Sequence, residues 1–319
     1  ARKRLDEKGL YGQRIAIIEG EPVELPLAPY MADLVVSEEL TGLLEKPADS
    51  TRAVFKLLRP FTGMACLPAG NGSLKEAFAS NKLHGCKIES GENLLIVRKT
   101  SAPAGSGSWS HQYGDVSHSV ASAEMNVRAP LGLLWFGGPS NSGVLPRHGH
   151  GPIPQFIEGR IIIEGRDMLR AVDAYTGRLL WERTLKDIGV PYDNTSHQPG
   201  ANILGSNYVS VADGIYAIYK KSCLKLDPDT GKTLSEFKIN GSGEKPQPVG
   251  WGYLGIWEDY LIAGIQPTEL RYPDYSKTEI DGLKDDKVKN LLGRLANLKN
   301  FEVTARGKKE NSKDHLGVN

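Results

Sequence analysis

A short pattern of strand-like residues ending in a tight turn occurs twice in the second half of this 319-residue chain. The turn at residues 173–177 reads DAYTG and the turn at residues 227–231 reads DPDTG, 54 residues later. An aspartate side chain accepts hydrogen bonds from nearby backbone N–H groups, and glycine adopts the positive φ that closes such a turn. The repeat therefore predicts two similar units of short strands joined by tight turns.

Repeats of this length that consist of short strands are typical of the blades of a β-propeller. A third copy begins at residues 251–264 but lacks the Asp-x-x-Thr-Gly turn. We therefore expect two complete blades and parts of one or two others.

The first hundred residues have a different pattern, in which short apolar segments alternate with helical ones. Strands are predicted at residues 14–18, 32–36 and 63–67, with a hairpin at 86–88 and 94–97. Helices are predicted at residues 2–10, before Arg59-Pro60 and at 75–79. This alternation favours a largely parallel sheet covered on both faces, with an antiparallel hairpin at its edge.

The fold class expected is thus α/β plus all-β, with a boundary between the two parts. Residues 100–110 are rich in Ala, Gly and Ser and are predicted to form a linker. It separates a Rossmann-like domain at 1–99 from a partial propeller at 111–319. The apolar spacing near 279–300 predicts a helical insertion in the second domain.

The second domain resembles a known repeat family. The pattern Asp-x-x-Thr-Gly-(x)3-Trp at residues 173–181 is similar to the repeat of eight-bladed quinoproteins, although Ser235 replaces the tryptophan in the second copy. That resemblance implies pyrroloquinoline quinone (PQQ) with Ca²⁺ and oxidation of an alcohol or sugar. The outer-membrane assembly lipoprotein propeller has the same repeat without a quinone, which implies a binding or scaffolding role. Both functions stay open.

The first domain resembles the C-terminal half of a class I S-adenosylmethionine-dependent methyltransferase. The points of match are Gly20-Glu21 after the first strand, residues 33–36 as the next strand, and the late hairpin. The resemblance implies that Glu21 lies near the adenine and that Ser37 and Glu38 face the methyl-transfer site. No GxGxxG occurs in the chain, so a methyltransferase would need its glycine-rich nucleotide turn from elsewhere. We therefore expect a middle piece of a larger polypeptide.

Polar residues in the loops of the second domain are candidates for a polar mouth of the propeller. They are His111, Arg147, His148, His150, Asn194 and His197. His148 and His150 are also candidate metal ligands, because side chains at i and i+2 of an extended segment point to one side. The aspartates of the two repeat turns are interpreted as structural.

Composition excludes some classes of partner. Lys plus Arg is 39 and Asp plus Glu is 38, so the charge balance does not favour nucleic acid. The chain has no apolar run of about 18 residues, so no membrane span is expected. The expected partners are the remaining polypeptide or other subunits. The quinoprotein resemblance implies a periplasmic or otherwise exported location, whereas three cysteines without a pairing pattern favour the cytoplasmic alternative.

Overall fold

The computed structural model describes residues 1–21, 23–145, 151–193, 201, 205–239, 249–267 and 286. The chain divides into two compact units. The first contains residues 1–104 together with 128–136, and the second contains 105–127 and 137–319. The division after Ala104 falls within the stretch predicted as a linker, and the last residues of that stretch, Trp109 and Ser110, are hydrogen-bonded within the second unit.

The first unit consists of four helices and one four-stranded sheet. The helices are α1 (Arg2–Asp6), α2 (Thr41–Glu45), α3 (Pro47–Leu57) and α4 (Ser73–Ser80). The strands are β1 (Leu34–Val36), β2 (Met64–Pro68), β3 (Cys86–Ser90) and β4 (Leu94–Lys99). Pro47 begins α3, where its missing N–H removes no helical hydrogen bond. The hairpin and the helices predicted before Arg59-Pro60 and at 75–79 are confirmed, whereas the helix predicted at 2–10 ends at Asp6 and α2 was not predicted.

The sheet of the first unit has the strand order β1-β2-β4-β3. β1 and β2 are parallel, whereas β4 is antiparallel to both β2 and β3. Alternate side chains of β2 and β4 point to the helices and form one core with them. That core contains Leu43, Val54, Phe55, Leu58, Ala65, Leu67, Leu74, Phe78, Leu95 and Val97.

The sheet was expected to be largely parallel and to be covered on both faces, and both expectations are wrong. It is mixed, because β4 lies between β2 and β3 and runs opposite to both. It is also not covered on both faces by the described residues, since Leu34 and Val36 on the face opposite the core are exposed. The apolar content of β1 suggested full burial, but burial depends on whether a second layer lies above that face.

The strand predicted at residues 14–18 is also wrong. This segment has one isolated bridge between Tyr11 and Ile15, and both Ile15 and Ile18 are exposed. An apolar run forms a strand only when a neighbouring strand pairs with it, and no such neighbour is present in the described part of the chain.

In its described ranges, the second unit is built mainly of strands and has a short 3₁₀ helix at Val190–Tyr192. The first sheet contains β5 (Gln155–Ile157), β6 (Arg160–Glu164), β7 (Met168–Asp173) and β8 (Leu179–Thr184). The second contains β9 (Tyr208–Val211), β10 (Gly214–Tyr219), β11 (Ser222–Leu226) and β12 (Thr233–Lys238). A hairpin of β13 (Val249–Trp257) and β14 (Tyr260–Pro267) follows.

Both four-stranded sheets are antiparallel meanders in which each strand pairs with the next one in the chain. This confirms the prediction of two similar strand units, each built around one Asp-x-x-Thr-Gly turn. Within the described residues these sheets and the hairpin do not close a ring.

The two repeat turns have the same hydrogen bonds. Asp173 Oδ1 accepts the N–H groups of Tyr175 and Thr176 at 2.8 Å each. Asp227 Oδ1 accepts the equivalent groups of Asp229 and Thr230 at 2.8 and 2.9 Å. Gly177 and Gly231 adopt φ values of 72° and 68°. The predicted roles of the aspartate and glycine in these turns are therefore confirmed.

The first sheet contacts the second through Trp181. The indole Nε1 donates to the carbonyl of Pro228 at 2.8 Å, and the ring lies against Gly231 in the second turn. Arg183 Nη1 donates to the Gly231 carbonyl at 2.8 Å, and Arg160 pairs with Asp229. Trp181 therefore packs between the two sheets, and the repeat turn of the second sheet is the point at which the first sheet contacts it.

Gly231→Ala is expected to destabilise the second unit by about 2–3 kcal/mol, as the sum of a backbone cost and a packing cost. The positive φ is unfavourable for alanine, and the new Cβ would lie only 2.7 Å from Trp181 Cε3. Gly9→Ala is the matched control, because Gly9 has φ 64° but no atom within 4 Å of a new Cβ. Urea denaturation measures both, and equal losses would contradict the packing contribution.

Candidate functional site

The methyltransferase-like candidates in the first unit follow the strand ends of its parallel pair. Ser37 comes directly after β1, and its N–H donates to the Cys66 carbonyl on β2 at 3.4 Å. β2 is followed by residues 69–72, in which Gly70 and Gly72 have positive φ. The carboxyl ends of parallel strands meet at one edge of a sheet, which is where ligands bind in such folds.

Two close approaches bring the loops at this edge together. A Cβ added to Gly42 in α2 would lie 2.9 Å from Glu21 Oε2, and one added to Gly70 would lie 2.7 Å from Leu40 Cδ1. The segments after β1 and after β2 and the loop of Glu21 are therefore neighbours in space. The structure thus brings together elements that the sequence placed far apart.

The polar groups at this edge do not by themselves fit a nucleotide. The Ser37 hydroxyl donates to the Glu39 carbonyl, and both Glu21 and Glu38 are exposed. Among the described residues, this edge has no buried polar side-chain atom that lacks a partner and awaits a ligand. The assignment of Glu21, Ser37 and Glu38 to S-adenosylmethionine stays a prediction.

In the second unit, one segment bridges all three groups of strands. Trp109 exchanges two backbone hydrogen bonds with Phe156 of β5, at 2.8 and 2.9 Å. The Ser110 carbonyl accepts the N–H of Ser210 in β9 at 3.0 Å. His111 reaches β13 through the Ile256 N–H at 3.1 Å. We call residues 109–118 the bridging segment.

His111 is the buried centre of the bridging segment, with 2% of its surface exposed. Its Nε2 accepts the Ile256 N–H, so the neutral ring carries its proton on Nδ1 and donates to Ser110 Oγ at 2.8 Å. The Ser110 hydroxyl in turn donates to the Gly114 carbonyl at 3.3 Å. Burial, with a smaller contribution from His118, lowers the pKa of His111 to about 4. Both ring nitrogens are therefore used within the protein.

The other members of the predicted polar mouth, Arg147, His148, His150, Asn194 and His197, lie outside the described residues. The same applies to the metal ligands His148 and His150 and to the helical insertion near 279–300. Within the described ranges, no three His, Cys, Asp or Glu side chains are arranged to hold a metal ion. His111 is neutral, and both of its ring nitrogens are bonded within the protein. The assignment of PQQ with Ca²⁺ stays a prediction.

Sequence reasoning did not single out Glu164 and Asn207. Glu164 ends β6 and is buried between the two four-stranded sheets, where its Oε1 accepts from Asn207 Nδ2 at 2.7 Å. Burial raises the pKa of Glu164 to about 8. The sequence contained one signal for this residue, since Glu164 directly follows the apolar run 161–163 of a repeat unit. A carboxylate at such a position is usually expected to be exposed, so its burial was not predicted.

Comparison with known proteins gives distant likenesses in structure alone. No family model and no curated protein matches the sequence. A solved structure from Methanococcus maripaludis, assigned as an S-adenosyl-L-methionine-dependent methyltransferase, is similar to 32% of this chain with 18% identity and a TM-score of 0.25. BamB from Moraxella catarrhalis is similar to 32% of the chain with 18% identity and a TM-score of 0.20. The chain spans 62% and 31% of those two proteins, and neither likeness assigns an activity or a ligand.

None of the helices in the described ranges is both long and apolar enough to cross a bilayer. The fold is mixed α/β with several antiparallel sheets, two of which are built on the same repeat.

Proposed function

We propose that the second unit is a propeller-type binding or scaffolding module of a larger protein. The observation that carries this proposal is the bridging segment, which hydrogen-bonds to β5, β9 and β13. The bridging segment thus ties both four-stranded sheets of the second unit and the β13–β14 hairpin to one another. A module held together in this way can act through its exposed surface, without a bound cofactor.

Among the described residues, β13 and β14 form a two-stranded hairpin that follows the two four-stranded sheets. In the proposed module, this hairpin begins a third strand unit. An exported location, as in the propeller family that the repeat resembles, belongs to this proposal and is tested by cell fractionation.

Titration with PQQ and Ca²⁺ tests the proposal against the dehydrogenase alternative. We expect no change in the quinone absorbance and no alcohol-dependent reduction of a dye. Ca²⁺-dependent quinone binding together with dye reduction would contradict a non-catalytic module and establish a PQQ-type oxidoreductase.

A second candidate function is S-adenosylmethionine binding by the first unit, which is favoured by the convergence of its three loops at the β1–β2 edge. Calorimetry with S-adenosylmethionine tests it, using Glu21→Gln and Glu38→Gln. The control is Glu92→Gln, an exposed carboxylate in the turn between β3 and β4. Heat that is lost in the first two variants and retained in the control would support the candidate; an absence of heat in the unmodified protein would remove it.

A further inference from the structure

Glu164 is a carboxyl group sealed between two sheets. It lies at the end of β6 in the first sheet with 3% of its surface exposed. Its Oε1 accepts from Asn207 Nδ2 at 2.7 Å, and the same amide donates to the Ile188 carbonyl at 3.1 Å. Because Asn207 directly precedes β9, this hydrogen bond ties the first sheet to the second.

The described residues around Glu164 provide no cation that would neutralise its negative charge. Its Oε2 is buried and has no hydrogen-bond partner, and no cation among the described residues forms an ion pair with it. The neighbouring titratable groups are Tyr192 and Tyr208, whose pKa values are raised by burial and by Glu164. Tyr192 Oη donates to the Gly205 carbonyl at 2.8 Å, and Tyr208 Oη lies 2.9 and 3.1 Å from the carbonyls of Ile153 and Ile162. Neither hydroxyl is available to Glu164.

Arg166 is the nearest cation in sequence, and it is committed elsewhere. Its guanidinium is half exposed and pairs with Asp167 at 2.8 Å and with Asp193 at 2.9 Å. An ionised Glu164 would therefore be a buried charge with one neutral hydrogen bond, which is strongly unfavourable. Opening the seam lets water reach the carboxyl and allows it to ionise.

We propose that the Glu164–Asn207 pair is a protonation-sensitive latch that holds the two four-stranded sheets together and tightens as the pH falls. In the closed seam the carboxyl is neutral, and its Oε1 accepts a hydrogen bond from the Asn207 amide. When the sheets separate at this point, the carboxyl loses its proton to solvent, so that each opening releases one proton. Acidification opposes that release and keeps the seam closed.

Linkage sets the pH window of the latch. The pKa of Glu164 is about 8 in the closed seam, against an ordinary value of 4.5. The opening constant therefore rises about tenfold per pH unit between these two values and levels off above pH 8. Openings that expose Glu164 should be about 50-fold more frequent at pH 8 than at pH 6, because half of the closed-state carboxyls are ionised at pH 8.

Hydrogen exchange of the full chain, corrected for the intrinsic effect of pH, tests the latch. We expect the amides of β6 and β9 to lose up to about 50-fold in protection between pH 6 and 8. In Glu164→Gln, which keeps an acceptor for Asn207 but cannot ionise, that loss should vanish. Glu258→Gln is the matched control at an exposed position and should behave as the unmodified protein. The same pH dependence in Glu164→Gln would overturn the proposal.

Infrared difference spectroscopy reads the carboxyl directly. We expect a protonated carboxyl band at pH 7 that is absent from Glu164→Gln and titrates near pH 8. Asn207→Ala serves if Glu164→Gln does not fold. The hydrogen bond from Asn207 lowers the pKa of Glu164, so this variant should move the titration to higher pH. A Glu164 that is ionised at pH 7 would refute the latch.

Discussion

Trp181→Ala is expected to lower the free energy of unfolding of the second unit by about 3–5 kcal/mol. The indole is nearly buried and belongs to the core between the two four-stranded sheets, together with Leu169, Tyr208 and Ile215. Truncation leaves a cavity there and removes the hydrogen bond to the Pro228 carbonyl. Urea denaturation, followed by far-ultraviolet circular dichroism, measures the loss.

Two further variants separate packing from hydrogen bonding. Trp181→Phe retains an aromatic ring but has no N–H donor, and should cost about 1–3 kcal/mol, since it leaves the Pro228 carbonyl without its donor. Trp257→Ala is the matched control, because Trp257 is 53% exposed. We expect its loss to stay below about 1 kcal/mol. Similar losses for Trp181→Ala and Trp257→Ala would show that Trp181 does not hold the two sheets together.

Acidification from pH 7 to 4 is expected to weaken the second unit by up to about 3 kcal/mol through His111. The pKa of this imidazole is lowered from 6.5 to about 4 in the folded protein. The unfolded chain therefore binds a proton first, and the contribution of His111 to stability is complete above pH 6.5 and is lost as the pH falls towards 4. Protonation would also deprive the Ile256 N–H of its acceptor.

NMR titration of the imidazole and pH-dependent denaturation measure this effect. His111→Gln should be less stable at pH 7 and should lose less on acidification than the unmodified protein. His84→Gln is the control, because His84 is exposed in the first unit. Glu164 changes stability in the opposite direction over part of this pH range, so each effect is read as the difference between a variant and the unmodified protein. A pKa of His111 near 6.5 would contradict the conclusion that the imidazole is buried and hydrogen-bonded within the folded protein.

The repeat turns were predictable because their hydrogen bonds are local. An Asp followed by Thr-Gly needs only its own four or five residues to form the turn, and the structure has the same bonds at Asp173 and Asp227. The role of His111, a candidate residue of the polar mouth, was less predictable from the sequence. His111 was selected as a polar group for a ligand, yet its partners Ser110 and Ile256 make it an internal clip, and Ile256 lies 145 residues away.

The sequence by itself determined most of the local elements of this protein: two strand repeats, three of the four helices of the first unit and the late hairpin. These depend on the period of apolar residues and on turn chemistry within a few positions. Tertiary structure decided which of these elements contact one another and which side chains they bury. It left Leu34 and Val36 exposed, placed Trp181 on the turn of the next sheet and buried Glu164 beside Asn207. Burial and pairing over long separations depend on which surfaces meet, and no local pattern records that.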